Sequence, residues 1–164
     1  MPSPWTPFRR ALGRLVSVFA TRVNPPAAAQ PKVLVVEDNA VNLLVARSML
    51  ERLGCVVETA ASGGQALRRF EPGRFDLVLM DCQMPELDGC QTTAKLRARE
   101  AAAGARAPIV ALTANAIGAD REECLRAGMD DYLAKPLRLA TLRRVVRRWC
   151  GVTATGGEEE EEAE

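Results

Sequence analysis

The chain has 164 residues, of which 48% are hydrophobic and 26% charged, with a formal net charge of +1. This length suits one compact domain with some flanking chain and leaves no room for a second sizeable core. The five cysteines form no Cys-x-x-Cys pair and histidine is absent, which argues against a disulfide framework, a zinc site and a histidine-based triad. No stretch approaches the roughly 20 apolar residues that span a bilayer, and a reducing cytoplasm is the expected compartment.

Residues 1–31 differ in composition from the rest of the chain. They contain four arginines and no acid, and they end in a Pro/Ala-rich run, residues 25–31, that is typical of a linker. Apolar residues recur at helical spacing between Phe8 and Val23, opposite a basic face. This segment is either a short amphipathic helix that contacts an anionic membrane or a partner helix, or a mostly disordered leader.

From Lys32 onward, short apolar runs alternate with amphipathic stretches, which predicts a parallel sheet covered by helices on both faces. The predicted strands are residues 33–37, 56–59, 77–81, 109–113 and 132–134. The predicted helices are residues 40–53, 64–70, 89–103, 119–127 and 139–150, and their apolar positions, such as Leu43, Leu44, Met49, Leu50, Leu67 and Leu96, are assigned to the core.

Acidic residues stand at the ends of two of these strands. Glu37 and Asp38 follow the first apolar run, and Asp81 ends the third. The carboxyl ends of parallel strands form the usual binding crevice of such a sheet, and carboxylates there suit a hard divalent cation. We therefore predict a magnesium site that includes Asp81. Cys82 lies beside it, but without a histidine to activate the thiol we expect a plain small side chain.

Two further strand ends carry polar side chains. The fourth strand ends in Thr113, and the fifth is followed by Lys135 and a proline. If all these ends share one edge, the ammonium and the hydroxyl can contact the oxygens of a transferred phosphoryl group.

The sequence motifs at these strand ends resemble those of the response-regulator receiver domain of bacterial two-component signalling. The resemblance covers residues 32–150 and is carried by residues 35–39 (VVEDN), 79–89 (LMDCQMPELDG), 111–115 (ALTAN) and 127–136 (AGMDDYLAKP). These motifs are most similar to those of receivers attached to hybrid sensor kinases. The resemblance implies a doubly wound, flavodoxin-like (βα)5 fold with a five-stranded parallel sheet of order 2-1-3-4-5.

The resemblance also implies a role for each site residue. Asp81 would accept a phosphoryl group from a phosphohistidine on a histidine kinase or a histidine phosphotransfer protein. Mg²⁺ would be bound by Asp38, Asp81 and the backbone carbonyl of Gln83, with Glu37 acting through a coordinated water. Lys135 would pair with Asp81 and then with the phosphoryl oxygens, which helps to neutralise the charge of the crowded anions.

The receiver family implies a switch as well. Thr113 would hydrogen-bond the new phosphoryl group and Tyr132 would turn inward, changing a surface on the last strand and the neighbouring helices where a downstream target could bind. Gln83 and Asn115 occupy the positions that tune hydrolysis of the aspartyl phosphate. The chain is expected to be no enzyme beyond assisting its own phosphorylation and dephosphorylation, and is either a stand-alone regulator or a piece of a hybrid kinase.

The remaining features leave rival interpretations to weigh. Residues 151–164 end in glutamates and are expected to be a disordered tail, while Asp88, Asp130 and Asp131 are expected to be solvated or turn-forming.

A haloacid-dehalogenase phosphatase would need an aspartate where Gln83 stands, and a dinucleotide-binding domain would need a glycine-rich turn after the first strand. Nucleic-acid binding is not predicted, since the basic last helix carries no recognition motif. A pseudo-receiver that only binds partners is the alternative function.

Overall fold

The computed structural model describes residues 29–114 and 119–151, along which five strands and five helices alternate. The strands are β1 (Lys32–Val36), β2 (Val56–Ala60), β3 (Leu77–Asp81), β4 (Ile109–Thr113) and β5 (Asp131–Ala134). The helices are α1 (Ala40–Arg52), α2 (Gly63–Arg69), α3 (Gly89–Ala103), α4 (Ala119–Arg126) and α5 (Leu139–Cys150). Each of these elements begins and ends within one residue of its predicted position. The predicted N-terminal helix, most of the linker, Asn115 and residues 152–164 lie outside the described residues.

All five strands are parallel and follow the order β2-β1-β3-β4-β5, which confirms the predicted doubly wound topology. The chain runs outward from β1 to the edge strand β2 and then crosses back to β3. The central strands β1, β3 and β4 are buried on both faces, which explains why they read as continuous apolar runs and not as an alternating pattern.

Alternate side chains of each strand enter two separate cores. Leu34, Val36, Val78 and Met80 pack with residues of α2, α3 and α4 on one face. On the other face, strand residues such as Val33, Val35, Leu77 and Leu79 pack with residues of α1 and α5. The two helical layers therefore contact opposite sides of the sheet.

The predicted core is right at most positions and wrong at one. Leu50 and Leu96 are fully buried, and Leu43, Met49 and Leu67 are partly buried against the two cores. Leu44, however, exposes 67% of its surface, and its neighbours Val41 and Val45 are exposed as well. One apolar stripe of α1 thus faces outward. Helical periodicity identifies the apolar faces of a helix, but it does not show whether another part of the protein covers each face.

Asp130 is also not the solvated loop residue that the sequence suggests. Its carboxylate accepts hydrogen bonds from Arg97 at 2.7 Å and from the backbone N–H of Ile109 at 2.9 Å. The Arg97 guanidinium also binds the buried Glu100 and the backbone carbonyls of Ala107 and Gly128. This network anchors the start of β4 to α3. Asp88 instead caps α3, since its Oδ1 accepts the N–H of Gln91 at 2.7 Å.

Within residues 29–114 and 119–151, no helix combines the length and the apolar character that crossing a bilayer requires.

Candidate functional site

Strand register brings the predicted acids together at the carboxyl edge of the sheet. Val36 of β1 pairs with Met80 of β3, so the next residues along each strand, Glu37 and Asp81, lie at the same level. Glu37, Asp38 and Asp81 each offer a carboxylate oxygen, and these oxygens all lie within 4.8 Å of one another. Glu37 and Asp81 are buried, whereas Asp38 is exposed at the mouth of the cluster. Hard oxygen donors at this spacing fit a magnesium ion.

Lys135 lies between the two buried acids. Register places it there, because Thr113 pairs with Ala134 and Lys135 is the next residue beyond β5. Its Nζ is 2.7 Å from Oε2 of Glu37 and 2.9 Å from Oδ2 of Asp81. The sequence predicted the contact with Asp81, but the contact with Glu37 was not foreseen.

Other hydrogen bonds hold the two carboxylates in place. Oδ1 of Asp81 accepts the backbone N–H of Gln83 at 3.1 Å. Oε1 of Glu37 accepts the side-chain amide of Asn42 at 3.2 Å and the backbone N–H of Asn39 at 3.3 Å. Asn42 is a site residue that the sequence analysis missed, and only its place in the first turn of α1, close after Glu37, could have indicated it.

Burial and charge shift two pKa values in this cluster. Burial raises the pKa of Asp81 and the nearby Glu37 carboxylate adds to this, although the bonds from Lys135 and Gln83 oppose it. Burial alone would lower the pKa of Lys135, but its hydrogen bonds to Glu37 and Asp81 outweigh burial, and the pKa is raised. The lysine is therefore firmly cationic, and a further cation beside Asp81 would stabilise its ionised form.

The loop after β3 packs closely against the backbone of Asp81. Gly89 begins α3, and its N–H donates to the carbonyl of Cys82 at 3.1 Å. A Cβ at Gly89 would press on the carbonyl oxygen of Asp81 and lie 2.9 Å from its carbonyl carbon. Glycine at this position thus lets α3 begin directly beneath the central aspartate.

The other residues predicted to belong to the site, Thr113, Tyr132 and Gln83, differ in burial and in their contacts. Thr113 is buried at the end of β4 and lines a small cavity together with Gln83. Tyr132 is partly buried, and the guanidinium of Arg121 lies 4.9 Å from the centre of its ring. Gln83 is exposed.

An apolar surface adjoins the acidic cluster. Val41, Leu44 and Val45 expose 69%, 67% and 41% of their surfaces on the outer side of α1, and we call these three residues the α1 patch. Val45 also lines a cavity of about 470 Å³ whose wall includes Glu37, Lys135 and Leu137. The α1 patch is therefore continuous with the site.

Three of the five cysteines line the small cavity that Thr113 and Gln83 also line, although they are far apart in the sequence. Cys82 follows β3, Cys90 lies in the first turn of α3, and Cys124 lies in α4. The sulfurs of Cys82 and Cys124 are 3.1 Å apart. Sequence reasoning missed the contact between Cys82 and Cys124 because only the tertiary fold brings β3 and α4 together.

Comparison with known proteins gives a family match and many relatives. Residues 33–147 match the family described as response regulator receiver domain. The chain is 42% identical over 148 residues to the sensor protein GacS of Pseudomonas syringae pv. syringae, a match that covers 88% of this chain and 16% of that protein. It is 44% identical over 117 residues to the aerobic respiration control sensor protein ArcB of Escherichia coli K12, covering 71% of this chain and 15% of that protein. The chain thus spans about a sixth of the length of these relatives.

Solved structures of receiver domains are similar as well. The receiver domain of the sensor histidine kinase PA1611 from Pseudomonas aeruginosa PAO1, with a magnesium ion coordinated in its active site cleft, is 51% identical with a TM-score of 0.68, covering 76% of this chain and all of that one. A co-crystal structure of the Saccharomyces cerevisiae phosphotransfer protein Ypd1 with the receiver domain of Ssk1 matches at 32% identity and a TM-score of 0.71, covering 76% of this chain and 92% of that one. The family match over most of the described fold shows that this chain belongs to the response regulator receiver domain family.

Proposed function

We propose that the chain is a phosphoacceptor in phosphorelay signalling and that Asp81 takes a phosphoryl group from a phosphohistidine on a partner protein. The observation that carries this proposal is the position of the buried Asp81 carboxylate. One of its oxygens contacts Lys135 at 2.9 Å, and carboxylate oxygens of Glu37 and Asp38 lie within 4.8 Å. An aspartate that only stabilised the fold would need one cationic partner. Asp81 instead lies beside two further carboxylates, and together these three groups can bind a metal ion.

The donor set fits magnesium, and the similar PA1611 receiver domain holds a magnesium ion in its active site cleft. We assign Asp38, Asp81 and the backbone carbonyl of Gln83 as direct ligands, with Glu37 acting through a coordinated water. When bound, Mg²⁺ supplies positive charge that offsets the repulsion between the carboxylates and the incoming phosphoryl oxygens.

The transfer step needs little more from the protein than position and charge. An Asp81 oxygen attacks phosphorus, the phosphorus–nitrogen bond of the phosphohistidine breaks, and a mixed carboxylic–phosphoric anhydride forms on Asp81. The Gln83 N–H orients the carboxylate by binding its Oδ1. The Lys135 ammonium, already beside Oδ2, is placed to stabilise the negative charge of the phosphoryl oxygens.

The same proposal assigns the switch to Thr113 and Tyr132. Thr113 lies at the end of β4, one strand from Asp81, where its hydroxyl could bind the new phosphoryl group. Tyr132 is partly buried beside Arg121, so an inward turn of its ring would alter the surface of α4, β5 and α5, where we propose that a downstream target binds. We propose that Gln83 and Asn115 tune hydrolysis of the phosphoaspartate.

The purified chain is expected to gain the mass of one phosphoryl group when it is incubated with phosphoramidate or acetyl phosphate. We expect the gain to require Mg²⁺ and to disappear in Asp81→Asn, which removes the attacking carboxylate oxygen. Intact-mass spectrometry measures both results.

A folded wild-type chain that binds Mg²⁺ but gains no mass with either donor would contradict the proposal. That result would favour a pseudo-receiver that serves only as a protein-interaction module. Circular dichroism of both proteins is the control for folding.

We further propose that the partner that carries the phosphohistidine docks on the α1 patch. The patch adjoins the cavity that leads to Glu37 and Lys135, so a protein bound there can bring its histidine toward Asp81. The similarity to the receiver domain crystallised with the phosphotransfer protein Ypd1 supports a partner of this kind. A cluster of exposed aliphatic side chains is also typical of an interface centre.

Leu44→Asp is expected to reduce transfer from a phosphohistidine protein by about tenfold or more, because a charge would replace a central apolar contact. Phosphorylation by phosphoramidate should stay unchanged, since the patch does not contact Asp81. The first rate is measured with a donor protein that phosphorylates the unaltered chain, and the second with phosphoramidate alone.

Leu125→Asp is the matched control, because Leu125 is likewise exposed, at 45%, but lies on α4. Equal loss of transfer in the Leu125 and Leu44 variants would contradict docking on α1.

A further inference from the structure

Glu37 contacts two parts of the fold, the acidic cluster and the start of α1. Its Oε2 lies 2.7 Å from the ammonium of Lys135. Its Oε1 accepts the backbone N–H of Asn39 at 3.3 Å and the side-chain amide of Asn42 at 3.2 Å. Because the Glu37 carboxylate is buried, these partners set its direction.

The N-terminal cap of α1 in turn holds Asn42. Asn39 is the N-cap residue, and its side-chain oxygen accepts the backbone N–H of Val41 at 3.0 Å and that of Asn42 at 3.1 Å. Asn42 is the third residue of the helix. In a capping box, a side chain at this position reaches back to the N-cap N–H. Here Glu37 accepts that N–H, and the amide of Asn42 reaches back to Glu37.

The hydrogen bonds of Glu37 leave one of its two oxygens available. A carboxylate offers about four acceptor positions, two on each oxygen. The two N–H groups of α1 occupy those of Oε1, whereas Oε2 has one partner within residues 29–114 and 119–151, the ammonium of Lys135. Oε2 is therefore the oxygen that can accept a further hydrogen bond, such as one from a water molecule on a metal ion.

We propose that Asn42 is a positioning residue for the magnesium site, and that it holds Oε1 of Glu37 so that Oε2 can accept a metal-bound water. This inference rests on the metal site of the proposed function, in which Glu37 acts through such a water. A neutral amide suits the role, because it donates a hydrogen bond without adding charge. A charged side chain there would repel either Glu37 or the metal ion.

Asn42→Ala is expected to weaken Mg²⁺ binding by about three- to tenfold, in line with one lost hydrogen bond to a group that orients a metal water. Isothermal titration calorimetry of the full-length chain with Mg²⁺ measures the dissociation constant. Asn42→Gln keeps a donor amide and should bind Mg²⁺ more tightly than Asn42→Ala. Asn42 is exposed, so we expect both variants to fold.

A double-mutant cycle separates this role from a general effect on the fold. If Asn42 acts through Glu37, Asn42→Ala should change the Mg²⁺ affinity by less than about twofold when it is introduced into a Glu37→Ala variant. Ser48→Ala is the matched control, because Ser48 is exposed on the same helix, more than one turn beyond Asn42. Its Mg²⁺ affinity should equal that of the wild type.

Three results would overturn the proposal and leave the phosphoacceptor function standing: wild-type affinity in Asn42→Ala, an equal loss in Ser48→Ala, or an undiminished effect of Asn42→Ala in the Glu37→Ala variant. A wild-type chain that binds no Mg²⁺ would overturn the proposal and the metal assignment together. Phosphorylation of Asp81 is not the readout, so a failure of the phosphoacceptor function is recognised separately, as Mg²⁺ binding without a gain in mass.

Discussion

Replacing Lys135 with methionine is expected to slow phosphorylation of Asp81 by about 10²-fold, the usual cost of losing one preorganised charge at a reacting group. The ammonium contacts both Glu37 and Asp81, so its removal leaves the buried carboxylates without the side chain that offsets their repulsion. An incoming phosphoryl group would meet more negative charge than in the wild type. The rate of mass gain with phosphoramidate at fixed Mg²⁺ measures this effect.

Lys95→Met is the matched control for this prediction. Lys95 is exposed on α3, so its loss should leave the rate unchanged. A folded Lys135→Met variant that is phosphorylated at the wild-type rate would show that the lysine serves only to hold the carboxylates in the absence of metal.

Gly89→Ala is expected to destabilise the fold by about 3 kcal/mol or more, because the new Cβ would meet backbone atoms and not a flexible side chain. Those atoms are the carbonyl group of Asp81 and the Cα of Cys82, which the sheet holds in place. Relief would require a shift of α3 or of Asp81 itself. Urea denaturation measures the change in the free energy of unfolding.

Gly64→Ala provides the comparison, since Gly64 lies in the first turn of α2 with no atom closer than 3.7 Å to the new Cβ. There alanine should be neutral or should stabilise the helix by up to about 1 kcal/mol. Equal stability of the two variants would indicate that the loop after β3 can relax, and that Gly89 is not required for close packing.

Much of the fold was predictable because its signals are local. The central strands β1, β3 and β4 are short apolar runs, and β3 and β4 have the predicted bounds, Leu77–Asp81 and Ile109–Thr113. The proximity of Glu37, Asp81 and Lys135 followed from one rule, that parallel strands present their carboxyl ends at one edge. The rule predicts that these residues lie close together, but it does not predict which of their atoms are in contact.

The features that were not predicted depend on packing between distant segments. The Arg97 network joins α3 to Asp130, which is 33 residues away in the sequence. The contact between Cys82 and Cys124 spans 42 residues. Composition and periodicity carry no signal for such pairs, so the sequence suggested a loop residue at Asp130 and gave no partner for Cys82. Leu44 shows the converse, an apolar residue in a helical pattern that nothing in the described fold covers.

The packing of helices on both faces of the sheet bears on how related signalling proteins could avoid exchanging partners. The α1 patch lies over the core shared with α5, whereas α4 packs on the opposite core, so changes at Val41, Leu44 or Val45 disturb neither set of buried contacts. Exposed substitutions of this kind usually alter stability by no more than about 0.5 kcal/mol. If the phosphate donor docks on the α1 patch, as proposed above, two copies that arise by gene duplication can diverge in their choice of donor at little cost to folding. Crosstalk between them would diminish while each retained the same phosphorylation chemistry.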